Sequence, residues 1–180
     1  MMMPIDRMTE VELLAGAAAG RRDAVRQLLD DVGPVVYGFV FARVGGDRSC
    51  AEDITQDTFL EAIRSAHTYR GDAALSTWCC AIARRRLARH YEAERRAEVA
   101  RSGLEVVEGG GEDETVERRD EVVRALGRLP GMHRQVLVLK YMDDRSVEEI
   151  ATELGRTKVQ VQSLLQRARL GLRRVLEAAE

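Results

Sequence analysis

Apolar side chains recur along this chain mostly at intervals of three and four, the spacing that gathers them on one face of an α-helix. In CAEDITQDTFLEAIRSAH the set Ala51, Ile54, Thr58, Ala62 and Ile63 keeps that spacing, with Phe59 beside it. The stripe predicts a core-facing side, and Asp53, Gln56, Asp57, Glu61 and Arg64 lie largely off it. The segment before it, VGPVVYGFVFARVGGD, is very apolar, with Gly33–Pro34 near its start and Gly45–Gly46 at its end. It predicts a central buried helix. After the stripe, HTYRGDAALST predicts a loop and TWCCAIARRRLARHYEAERR a further helix. Thr9 with Glu12, and Ser49 with Glu52, have the spacing of a capping box and predict two helix starts.

A second set of helices follows a break. VERRDEVVRALGRL carries Val116, Val122, Val123, Leu126 and Leu129 at roughly helical intervals, until Pro130–Gly131 stops it. MHRQVLVLKYM predicts the next helix, and SVEEIATELGRTKVQVQSLLQRAR two more around a tight turn. Ser146 and Glu149 make another capping box. Gly155 stands where a left-handed C-cap is needed, and Thr157 can cap the helix after it. On that last helix Val161, Leu164, Leu165, Ala168, Leu172 and Val175 share one side, while Gln162, Ser163, Gln166, Arg167, Arg173 and Arg174 occupy the other. The break itself, SGLEVVEGGGEDE, combines three consecutive glycines with many acids and predicts a flexible, extended linker. The expected fold is therefore all-α: small helical domains at 9–100 and 115–177, the second containing a helix-turn-helix, joined by a flexible acidic linker at 101–114.

Composition narrows the function classes. At 180 residues, with three prolines and 4% aromatics, the chain suits a soluble helical protein with a real core. No apolar run approaches the roughly 20 residues needed to span a bilayer, and MMMPIDRMTEVELL lacks the order of a signal peptide, so a cytoplasmic protein without membrane insertion is expected. Cys50, Cys79 and Cys80 make no zinc pattern, and the last two sit in a helical apolar run as small hydrophobes. His67, His90 and His133 are far apart, and no nucleophile–base order, H-E-x-x-H or phosphate-cradling loop is present. No catalytic residue, metal or cofactor is expected.

Charge changes the picture more. The formal net charge is −2, yet Gly155 to Leu176 holds basic residues and no acidic ones. Segregation of charge matters more to DNA binding than its total. Gln and Arg on the outward face suit base edges and phosphates, and Lys158 begins the helix where such readers meet bases. In YRGDAALSTWCCAIARRRLARHY, Tyr69 and Trp78 flank a short polar loop, and Arg84, Arg85, Arg86 and Arg89 follow. Rings beside a basic track suit an unpaired strand, although Trp78 opens an amphipathic helix and reads first as core.

This combination resembles the sigma factors of bacterial RNA polymerase, and more narrowly the two-domain extracytoplasmic-function group. The resemblance rests on AEDITQDTFLEAI, on YRGDAALSTWCCAIARRRLARHY and on LPGMHRQVLVLKYMDDRSVEEIATELGRTKVQVQSLLQRARLGLRR. It implies a subunit that binds core polymerase and directs promoter-specific initiation, held inactive by an anti-sigma factor. The implied docking residues are Asp53, Gln56, Asp57 and Glu61, on the β′ clamp helices, with the β subunit as a further contact. The implied minus-ten set is Tyr69, Arg70, Trp78, Arg84, Arg85, Arg86 and Arg89. The implied minus-thirty-five set is Arg156, Thr157, Lys158, Gln162, Ser163, Gln166 and Arg167. Three departures stand out. Many relatives carry V-K-S-R where this chain has Val161-Gln162-Ser163-Leu164, two positive charges fewer, with Lys158 as the offset. Arg85 replaces a common Asn. Cys79 and Cys80 replace large apolar or aromatic residues. Two rival readings are a stand-alone helix-turn-helix regulator binding duplex DNA as a dimer, and a helical interaction protein with no nucleic-acid role.

Overall fold

The computed structural model describes residues 7–100 and 119–178, and the expected linker at 101–114 and Val116 lie outside them. Among the described residues every regular element is helical: α1 (Arg7–Ala18), α2 (Arg22–Arg43), α3 (Arg48–Arg64), α4 (Leu75–Ala100), α5 (Arg119–Gly127), α6 (Gly131–Leu137), α7 (Val147–Leu154) and α8 (Lys158–Glu177). The fold is all-α, as the sequence pattern predicts. By its contacts the chain forms two compact units, one of residues up to 41 with 48–89, the other of 42–47 with 90 onward.

In the first unit the α3 stripe is as expected: Ala51, Ile54, Thr58, Phe59 and Ala62 are buried. Thr58 reaches that interior without an unsatisfied hydroxyl, because it donates to the Ile54 carbonyl at 2.7 Å. The apolar segment around Pro34 differs from expectation. It is the C-terminal half of a helix that begins at Arg22, and its buried side is the row Ala24, Leu28, Val32, Val36 and Val40, with Arg43 at the end. Val35 is 44% exposed, so the helix is buried on one side and not all round. Pro34 lies inside α2 without ending it. The residue before it is Gly33, which has no Cβ to collide with the proline ring. Two helix starts also move. α1 begins at Arg7, ahead of Thr9, and α3 at Arg48, ahead of Ser49. Arg and Met extend a helix readily, and Asp47 is as good a residue type as Ser to precede one.

In the second unit Leu126, Leu129, Val136, Leu137, Ile150, Val161, Leu165 and Ala168 form one apolar cluster from α5, α6, α7 and α8. The expected MHRQVLVLKYM helix is α-helical only to Leu137, and Val138–Met142 widens into a π turn. It stops at Asp143–Asp144, where Asp144 takes φ 51°. Several buried polar groups in this unit are paired closely, while Arg134 Nε is buried without a hydrogen-bond partner among the described residues. Arg43 Nη2 lies 2.6 Å from Asp143 Oδ1, with both side chains under 10% exposed. Tyr91 donates to the Arg43 carbonyl at 2.7 Å. Arg134 donates to both Glu94 oxygens at 2.7 Å. Gly45, at φ 71°, and Gly127 approach so closely that a Cβ on either would overlap the other's backbone.

Candidate nucleic-acid interface

Local sequence fixes the geometry of α7 and α8. Ser146 accepts from the Glu149 amide while Glu149 accepts from the Ser146 amide, the full capping box. Gly155 ends α7 at φ 60°, ψ 39°, a backbone shape that costs a side-chain-bearing residue about 1–2 kcal/mol. Thr157 and Gln160 make a second capping box that opens α8, although the sequence pattern marks only the Thr157 cap. Val161, Leu164, Leu165 and Ala168 anchor α8 in the core. Arg156, Thr157, Lys158, Gln162, Ser163, Gln166 and Arg167 are all exposed.

Two details alter the charge of this face. Lys158 Nζ lies 2.7 Å from Glu148 Oε1, and hydrogen bonding and charge from Lys158 hold the Glu148 carboxyl below its usual range. Lys158 therefore cannot offset missing cations without first leaving that partner. Leu164 is 5% exposed. It belongs to the core, so a cation at that position would start from a buried site.

The second cluster surrounds the loop between α3 and α4. Tyr69 differs from the strand-facing ring expected of it: it is 6% exposed. Its hydroxyl is 2.8 Å from Glu10 Oε2 and 2.8 Å from the Ala73 carbonyl, and its ring centroid is 5.3 Å from that of Trp78. An apolar ring needs such cover, and the loop folds back to provide it. The same Glu10 oxygen accepts from the Leu75 amide at 3.0 Å, so a carboxylate from α1 caps the first turn of α4. Arg70, Asp72, Ala73 and Ala74 are exposed, while Gly71 is buried and adopts φ 75°.

Along α4 the arginines divide. Arg84, Arg85 and Arg89 are exposed, with the Arg84 guanidinium 5.4 Å from the centre of the Phe39 ring. Arg86 is half-buried and turns to α3, where it donates to Glu61 at 3.0 Å and sits 3.9 Å from Asp57. It is a tie between α3 and α4, set apart from the other three. On α3, Asp53, Gln56 and Asp57 are exposed and Glu61 is half-buried. Cys79 is fully buried, and burial, then Cys80 and Glu10, push its thiol up to about 12. A thiol so far from ionisation is unreactive at neutral pH.

Known proteins give this geometry a context. Residues 28–97 match the family model Sigma-70 region 2, and residues 119–172 match Sigma-70, region 4. Over 179 residues the chain is 32% identical to the ECF RNA polymerase sigma factor BldN of Streptomyces coelicolor, covering 95% of this chain and 67% of that protein. It is 30% identical over 170 residues to the ECF RNA polymerase sigma factor SigL of Mycobacterium tuberculosis, covering 91% and 95%. The chain belongs to the ECF sigma factors. Among solved structures it is similar to the sigma factor RpoE crystallised with the anti-sigma factor NepR from Bartonella quintana, at 21% identity and TM-score 0.48, covering 87% of this chain and 98% of that one.

In this sigma factor the sequence pattern leaves several positioning residues unmarked. Glu10 lies 59 positions from Tyr69, and nothing local couples them. Glu148 reads as one more acid in the first turn of α7 until the turn at Gly155 brings Lys158 to it. Arg86 shares a run with Arg84 and Arg85, and only helix phase sends it to the other side.

Proposed function

We propose a division of labour within this sigma factor, which acts in promoter-specific transcription initiation. Asp53, Gln56 and Asp57 on α3 dock on core RNA polymerase, at the β′ clamp helices, with Glu61 held in register by Arg86. Arg70 and the exposed Arg84, Arg85 and Arg89 hold the unpaired minus-ten strand along the loop and α4. Trp78 and Tyr69 support that loop from below. The outward face of α8, with Arg156 before it, reads the minus-thirty-five element. The linker at 101–114 joins a 9–100 domain to a 115–177 domain, with 42–47 and the chain from 90 counted by contacts in the second compact unit, and the protein works in the cytoplasm without catalytic activity of its own.

The observation that carries this reading is the separation of charge onto exposed faces. From Lys158 to Arg174 the outward residues of α8 include cations and amides and no acid, while α3 presents carboxylates on a face of its own. A duplex reader alone leaves the α3 face idle, and a polymerase-dependent reader uses both. Relatives crystallised with anti-sigma factors suggest the regulator. RpoE was solved with NepR, and BldN with RsbN. A comparable inhibitor covering the docking surfaces would keep this chain idle.

The test uses paired variants with purified core polymerase. Asp53→Ala with Gln56→Ala should weaken polymerase binding by tenfold or more and leave the fold intact. Gln166→Ala with Arg167→Ala should retain polymerase binding and lose promoter selection. Equal loss of both activities in both variants contradicts the division, and duplex binding at paired half-sites without polymerase would favour a stand-alone dimeric regulator.

A further inference from the structure

Val159 is 74% exposed, the most exposed large apolar side chain among the described residues. It sits in the first turn of α8, three, four and seven positions before Gln162, Ser163 and Gln166, and so lies in the middle of their face. Its neighbours in that turn are already engaged. Thr157 and Gln160 bond to each other in the capping box, and Lys158 is paired with Glu148. The side chain that this turn offers outward is an isopropyl group.

We propose that Val159 is a specificity-determining residue that reads the C5-methyl group of a thymine in the upstream promoter element. The proposal rests on α8 being the duplex reader. The leading turn of a recognition helix is the part that meets base edges in the major groove. The thymine methyl is the apolar feature of that otherwise polar groove, and small apolar side chains are its usual contacts. A protein partner would need a contiguous apolar patch, and here polar Gln162, Ser163 and Gln166 surround the valine. Leu170, the other exposed apolar residue on this face, stands 11 positions on, about 16 Å along the axis, too far to join it.

The experiment uses the holoenzyme. A promoter is first selected from a randomised library with the wild-type sigma factor. Each thymine of its upstream element is then replaced singly by deoxyuridine, which lacks only the methyl group, and holoenzyme affinity is measured. Loss of one buried methyl group corresponds to about fourfold. The expected result is one thymine at which deoxyuridine weakens wild-type binding about fourfold and leaves the Val159→Ala holoenzyme unchanged. Val159 is exposed, so Val159→Ala should fold normally, and the deoxyuridine series on wild type stands even without it. An upstream element insensitive at every thymine, or one equally sensitive in Val159→Ala, overturns the proposal. Gln166→Ala with Arg167→Ala in parallel separates the two levels. If that variant keeps the wild-type upstream preference, α8 is not the reader; if it loses the preference while no thymine responds, only the role of Val159 falls.

Discussion

Glu10 organises a loop 59 positions away with a single carboxylate, accepting from Tyr69 and from the first amide of α4. Replacing it by Ala removes a helix cap and leaves the Tyr69 hydroxyl to the Ala73 carbonyl alone, at a cost of about 1 kcal/mol. We expect Glu10→Ala to lower the thermal midpoint and to reduce initiation on duplex promoters, with near-normal initiation when the minus-ten segment is supplied already unpaired. Equal defects on both templates would show that the loop has no part in opening. Glu94 gives a second residue-scale prediction. Burial works to raise its pKa, but hydrogen bonds and charge from His90 and Arg134 outweigh it and bring 4.5 down to about 2. A carboxyl lowered on folding stabilises the folded state above its unfolded pKa, and that contribution is lost as pH falls from about 4.5 towards 2. Urea midpoints should fall across that window in the wild type and change less in Glu94→Gln. The His90–Glu94 spacing on α4 is local, but the ties of Glu10 to Tyr69 and of Glu94 to Arg134 are not legible in the sequence, because the partners lie 59 and 40 positions apart.

At the scale of elements, the helix-turn-helix was the most legible part of the chain. Its caps act over three residues and its turn depends on one glycine, so the sequence pattern specifies all of them but the Gln160 half of the second box. Gly155→Ala puts a side chain at φ 60° and should cost about 1–2 kcal/mol. We expect thermal unfolding of the second unit to shift down and recognition of the upstream element to weaken, while polymerase binding by α3 stays near wild type. An unchanged unfolding curve would mean that the turn relaxes by another route. Longer elements were less legible. The start of α2 and its passage through Pro34 depend on packing along the row Leu28, Val32, Val36 and Val40, which outweighs the local break signal. The π turn after α6 likewise has no signature in MHRQVLVLKYM, whose apolar spacing fits a plain helix.

For the molecule as a whole, a net charge of −2 coexists with an outer face on α8 that carries no acid before Glu177. Duplex binding by the isolated chain should therefore fall steeply as salt rises, since each phosphate contact releases a counterion. Arg167→Ala should reduce the slope of log affinity against log salt by about 1, whereas Asp53→Ala should leave it unchanged. A slope insensitive to Arg167 would remove that residue from the phosphate contacts. All-helical class, the charge-separated faces and the amphipathic stripes were open to sequence reasoning because each is periodic. Pairs such as Arg43 with Asp143, 100 positions apart, were not, since only the finished fold brings them together. The cysteines show what such placement means in practice. Cys50, Cys79 and Cys80 all fall in the first unit, the first and last half-buried and Cys79 sealed. A thiol-reactive fluorophore would mark α3 and α4 and leave the helix-turn-helix dark, so under the proposed division of labour the native protein is a ready-made optical reporter of polymerase docking and promoter melting alone.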